Sequence, residues 1–200
     1  LKLRNSFIKS NKEAKLSSYS SLSKIYTSMH LVDVQTKRYH IVKMTDQIAE
    51  YLEKDFKKMG EYEIRDDFCG HINDIAEKVC MESQLQESLE FIDISTLEER
   101  LLGENSITHE FTDKISGWCR SRFIPVDYDE NGRLQHVLFC VECIEEEKKR
   151  ENRLIYLART DLMTGLCNRG SGEKKITELL KEKTGGLLCL IDCDKFKSIN

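Results

Sequence analysis

The chain has no positive charge to spare. Its 31 lysines and arginines are outnumbered by 35 acids, for a formal net charge of −4. No overall basic field is available to neutralise phosphates, which removes the electrostatic basis of nucleic-acid binding. Apolar runs long enough to cross a bilayer are missing too, as is the apolar core of a signal peptide. One proline and ten glycines in 200 residues exclude collagen, and 40% hydrophobic residues exclude a disordered chain. The eight cysteines lack the dense spacing of a disulfide-stapled secreted domain. A reducing cytoplasm is the predicted compartment, with any membrane attachment left to sequence outside these residues. Leu1 in place of Met, without an apolar leader, predicts a cut or processed end.

Two hundred residues allow one sizeable domain or two small ones. Cys140 and Cys143 form a C-x-x-C, which opens a zinc or thiol-redox reading. Leu134 to Ile144, however, alternates like a strand, which sends residues three apart to opposite faces, and no second Cys/His pair lies near. Small buried cysteines are the favoured reading. His30, His40, His71, His109 and His136 are scattered singly, none at metal-ligand spacing.

Along the chain, Asn11 to Ser28 carries Leu16, Tyr19, Leu22 and Ile25 at helical spacing, predicting a capping helix within residues 1–28. Met29 to Val34 and Tyr39 to Met44 are β-rich runs separated by four polar residues, a hairpin. From Thr45 to about Leu102 the spacing turns helical: Asp46 is a candidate cap, Ile72, Ile75, Ala76 and Val79 share a face, and Ser95 or Thr96 opens a further helix. Strands return at Ser106 to Thr112, Ile115 to Val126 and Leu134 to Ile144, with Asn131-Gly132 supplying a tight turn. The order β-β-α-α-α-β-β-β predicts an α+β domain over residues 29–144, an antiparallel sheet flanked by helices.

That order, with Gly117-Trp118-Cys119-Arg120-Ser121-Arg122-Phe123-Ile124-Pro125-Val126, Asn131-Gly132-Arg133 and Val137-Leu138-Phe139, resembles a PAS domain and its closing hairpin. The resemblance implies a sensor. The Asn-Cys-Arg motif of light-sensing flavin members is missing, and His71 is the lone helix histidine in reach of a haem-ligating role, so the expected pocket is empty or holds an unnamed small molecule. Cys143 precedes Ile144 where the family often has an Asp that ties the domain to its output helix.

Glu145 to Ala158 is then a run of strong helix formers, with Glu145 to Lys149 and Glu146 to Arg150 as favourable i,i+4 pairs. A linker helix over residues 145–160 is predicted, too short to persist alone and suited to pair with a second copy. After it, Ile176, Leu179 and Leu180 mark another helix, and Leu187 to Ile191 is an unbroken apolar run read as a strand buried on both faces. Two carboxylates follow, Asp192 and Asp194, and then lysines: oxygen ligands for a divalent metal beside charge for a phosphate.

Asp161-x-x-Thr164-Gly165-Leu166-x-Asn168-Arg169, together with Asp192-x-Asp194-x-Phe196-Lys197-x-Ile199-Asn200, resembles the opening of a GGDEF domain, the diguanylate cyclase family. The resemblance implies that Asp192 binds Mg2+ through its side chain and Cys193 through its carbonyl. It places Phe196 and Lys197 along the triphosphate of GTP, Asn200 on the guanine edge, and Asp161, Asn168 and Arg169 in a turn that couples the incoming helix. It further implies a homodimer formed through the PAS domain and linker helix, in which two GTP molecules are joined into cyclic di-GMP. Residues 161–200 cover only the start of that domain and stop before its name-giving loop, so this fragment is expected to be inactive and to leave Leu187 to Ile191 uncovered. The rival reading is a non-enzymatic sensor and dimerisation module with a degenerate GGDEF domain.

Overall fold

The computed structural model describes residues 25–51, 64–182 and 186–191. The helix expected within residues 1–28 therefore lies almost wholly outside the described residues. The chain divides into two compact units, residues 1–148 and 149–200.

In the first unit, β1 (Tyr26–Asp33) and β2 (Tyr39–Met44) form the expected hairpin. Asp33 closes it, its Oδ1 accepting from the amides of Gln35 and Thr36, and Lys37 turns the chain at φ 58°. Among the described residues, the helices α1 (Asp46–Tyr51), α2 (Phe68–Val79) and α3 (Glu82–Ile92) follow, the last of them not expected from the sequence. Asp67, in the left-handed region, caps α2 by accepting from Gly70 N at 3.0 Å. After α3, Thr96 takes the N-cap position of the next helix, as expected, but its side chain makes no capping hydrogen bond. Asp93 accepts from both the amide and the hydroxyl of Ser95 and begins a short 3-10 turn, Ile94–Thr96, before α4 (Leu97–Arg100). An aspartate one turn earlier outcompetes the hydroxyls because its carboxylate accepts two hydrogen bonds at once.

The chain then returns through β3 (Ile107–Asp113), β4 (Gly117–Tyr128) and β5 (Leu134–Cys143). Asp129 holds the β4–β5 turn by accepting from Asn131 N and Arg133 N, while Gly132 takes φ 76°. All pairings are antiparallel and the sheet order is β2-β1-β5-β4-β3. The last strand thus lies between the first and the fourth.

Period-two alternation gives the sheet two faces. The inner face, carrying Val32, Phe123, Val137 and Phe139, packs on α2 and α3 through Phe68, Ile72, Ala76 and Ile92. Fully burying such side chains contributes about 1.5–3 kcal/mol each. The other face carries a smaller buried group, Met29, Leu138 and Cys140. Cys140 and Cys143 accordingly separate as the strand period predicts, the first buried and the second exposed.

α5 (Glu145–Arg159) begins in the first unit and runs into the second, where α6 (Arg169–Lys181) follows. Neither helix has a buried residue. The apolar run at 187–191 does not form the expected strand: Leu187, Leu188, Leu190 and Ile191 are exposed and pair with no neighbour among the described residues. A strand is defined by its ladder, and apolar character alone cannot supply one.

Candidate functional site

A cavity of about 50 Å³ lies between the inner face of the sheet and helices α1, α2 and α3. That is room for several water molecules or a compact organic ligand. Ile72, Ile75 and Val79 of α2 line one wall, with Phe139 and Val141 of β5 and Ser121 of β4 opposite. The lining is therefore apolar with a few polar points, the usual makeup of a small-molecule site.

His30 of β1 is one of those polar points. It is 1% exposed, and both ring nitrogens are buried without a hydrogen-bond partner. Rings of Tyr39, Phe68, His71 and Phe139 surround it at 5.7–6.1 Å. Burial, aided by the nearby positive charge of His71 and Arg65, pushes its pKa down to about 3, so the imidazole is neutral at pH 7. A second polar string crosses from α3 to β3, where Ser88 Oγ meets His109 Nε2 at 3.1 Å and Cys80 Sγ at 3.5 Å. In the sequence His30 is one of five scattered histidines. The available signal was its place in β1, where Ser28, His30 and Val32 share the core-facing period.

On the opposite face of the same strands, the first turn of α5 is clamped to the sheet. Arg120 of β4 reaches Glu110 of β3 at 2.8 Å, Glu142 of β5 at 3.4 Å and Glu147 of α5 at 3.1 Å. Lys148 of α5 bonds Glu110 at 2.6 Å and stands over the Trp118 ring at 5.3 Å. These two cations, Lys148 first and then Arg120, hold the Glu110 carboxyl below its ordinary range. Glu145 Oε2 accepts from Trp118 N at 2.9 Å. Gly117, at φ 76°, lets this carboxylate in: a Cβ there would fall 2.4 Å from Glu145 Oε2. Glu145, two residues after Cys143, thus ties the start of α5 to β4. Nothing in local periodicity pairs Arg120 with residues 22 and 27 positions away.

Arg120→Ala should cost about 2 kcal/mol, because it leaves Glu110 and Glu142 half-buried without their shared cation. Urea unfolding measures the loss, and amide exchange at residues 145–148 should quicken in parallel. Unchanged exchange there would show that the network does not hold the helix.

In the second unit, Asp161 Oδ1 accepts from Thr164 N at 2.9 Å and from its hydroxyl at 2.7 Å, closing the turn after α5. Asn168 joins the two helices: its Oδ1 caps α6 by accepting from Ser171 N, and its Nδ2 donates to Ala158 O of α5 at 2.8 Å. Arg169 is exposed and pairs with Glu173 one turn on. Asp192, Cys193, Phe196, Lys197 and Asn200 lie outside the described residues. Among the described residues, no cluster of three or more His, Cys, Asp or Glu side chains could hold a metal ion, and no helix is long and apolar enough to cross a membrane.

No family model and no curated protein matches the chain. Among solved structures it is similar to the crystal structure of a domain of a histidine kinase from Haloarcula marismortui, described as light and redox sensing. The likeness covers 64% of this chain and 98% of that chain, at 11% identity and a TM-score of 0.36.

Proposed function

We propose that this chain is the sensory part of a signalling protein: a PAS-type input domain over residues 29–144, an output helix α5, and the opening of a diguanylate cyclase domain. One observation supports the input half above the rest. On β3, β4 and β5, neighbouring residues serve the two sides of the sheet. Phe111, Ser121 and Val141 line the cavity, while Glu110, Arg120 and Glu142, each one position away, hold the root of α5. A ligand that shifts these strands by a fraction of an ångström therefore acts directly on the helix clamp. Allosteric couplings of this kind are typically worth about 1–3 kcal/mol.

The output half rests on the paired sequence motifs at 161–169 and 192–200. α5 exposes Leu154, Ile155 and Leu157, apolar groups suited to a second copy of the same helix. Pairing of two stalks would bring two GTP sites together. Asp192, with the carbonyl of Cys193, would hold the magnesium ion, which supplies charge stabilisation during phosphoryl-type transfer. Phe196, Lys197 and Asn200 would hold the nucleotide.

In the whole protein, Asp192→Asn should abolish cyclic di-GMP formation from GTP, as should removal of magnesium by chelation. Product formation that survives the substitution would remove Asp192 from the metal role and, with it, the cyclase reading. The sensor reading would stand or fall separately, on whether ligands entering the cavity change the exchange of residues 145–148.

A further inference from the structure

We propose that Cys119 and Cys143 form a peroxide-responsive thiol pair that closes to a cross-strand disulfide at the root of α5. The C-x-x-C spacing draws attention to Cys140 as the partner of Cys143, but the sheet places Cys140 on the opposite face, beside Met29 and Leu138. The residue directly across from Cys143 is Cys119 of β4.

The hydrogen-bond ladder shows what kind of pair this is. Ile144 N donates to Trp118 O at 2.8 Å, so Trp118 and Ile144 occupy a hydrogen-bonded position. Positions alternate in an antiparallel ladder, which puts Cys119 and Cys143 at the adjacent non-hydrogen-bonded position. There the Cα atoms stand about 4.5 Å apart with both side chains on one face. Disulfides accept Cα separations of about 4.4–6.8 Å. Both thiols are free in this structure.

The two sulfurs differ in access. Cys143 is exposed and donates to Ser116 O at 3.3 Å, whereas Cys119 is 1% exposed beside Cys80 and Phe111. Burial pushes the Cys119 thiol well up, and the charges of Asp113 and of Cys143 itself add to this. Cys143 is thus the entry point and Cys119 the resolving thiol. In the first step the Cys143 sulfur attacks hydrogen peroxide, the O–O bond breaks, water leaves and a sulfenic acid forms. In the second, the Cys119 sulfur attacks Cys143 Sγ, the S–O bond breaks, and the departing hydroxide takes the Cys119 proton to leave as water. Two thiols are oxidised to one disulfide, and one peroxide is reduced to two waters.

Closure has a structural consequence. Cys143 must release Ser116 O, next to Gly117 and Trp118, which receive Glu145. The bond therefore forms two residues from the acid that starts the output helix.

The test treats the full chain with a small excess of hydrogen peroxide, blocks remaining thiols in acid denaturant and maps tryptic peptides by mass spectrometry. The expected product joins residues 115–120 to residues 134–148 through Cys143, is two hydrogen atoms lighter than its parts and reverts with dithiothreitol. Cys143→Ser, an exposed and conservative change, should abolish it; Cys140→Ser should leave it intact. A disulfide mapped to Cys140 would overturn the proposal. So would oxidation that ends at Cys143 as a sulfur oxyacid while Cys119 stays fully alkylatable. Because the readout is a covalent mass, it is independent of any cyclase activity.

Discussion

Taking the protein from pH 7 to pH 4 is expected to remove about 3 kcal/mol of folding free energy through His30 alone. The unfolded imidazole titrates near 6.5, whereas burial holds the folded one to about 3. Between those values the unfolded chain binds a proton that the native state refuses, so stability is full above pH 6.5 and falls at about 1.4 kcal/mol per pH unit as the solution is acidified toward pH 3. His109, also lowered by desolvation, adds a contribution of the same sign.

The control is His30→Leu, which fits a similar volume and carries no proton. Since neither His30 nitrogen has a partner, the substitution gives up no hydrogen bond and should be neutral or stabilising at pH 7. It should also flatten the acid limb of a stability curve measured by urea unfolding. His109 is common to both proteins and cancels in the comparison. An acid limb of equal depth in the variant would mean that His30 is not the group responsible.

Phe123→Ala should cost about 3–5 kcal/mol, the largest single loss expected in the first unit. Phe123 is fully buried, with the rings of Phe139 at 4.8 Å, Phe91 at 5.4 Å and Phe68 at 6.4 Å. Truncation forfeits the transfer free energy of the ring and leaves a cavity in the layer that joins sheet to helices. Total stabilities run to only about 5–15 kcal/mol, so the variant should be near the limit of folding at 37 °C. Tyr128→Ala, at the exposed end of the same strand, should change stability by less than about 0.5 kcal/mol. A loss below about 1 kcal/mol at Phe123 would show that this layer is not packed as described.

Much of the fold of the first unit was legible in the sequence. Alternation located the strands, Asn131-Gly132 marked a hairpin, and the shared face of Ile72, Ile75, Ala76 and Val79 located α2, because each signal acts within a few residues. Helix starts were less legible. Asp93 supplies the cap hydrogen bonds expected of Ser95 or Thr96, because an aspartate competes for whichever amides the surrounding turn presents. The apolar run at 187–191 read as a strand because hydrophobicity records a demand for burial without recording whether a partner meets it.

The candidate site was the least legible part. His30 looked like one of five scattered histidines until β1 was packed beside β5, and Arg120 looked like one of many surface cations until three carboxylates from β3, β5 and α5 converged on it. Cys143 seemed to belong with Cys140, three residues away, rather than with Cys119 on another strand.

By itself the sequence determined the order of the five strands, the helices that begin at Asp46, cover 72–79 and follow Thr96, and the motifs at 161–169 and 192–200, but not the helix Glu82–Ile92. Tertiary structure decided which strand lies beside which, and from that followed the cavity, the clamp on α5 and the facing thiols. The division has a physical cause: propensity and period are set by neighbours within a turn or two of the backbone, whereas strand order and register are chosen by how the whole chain buries its apolar faces.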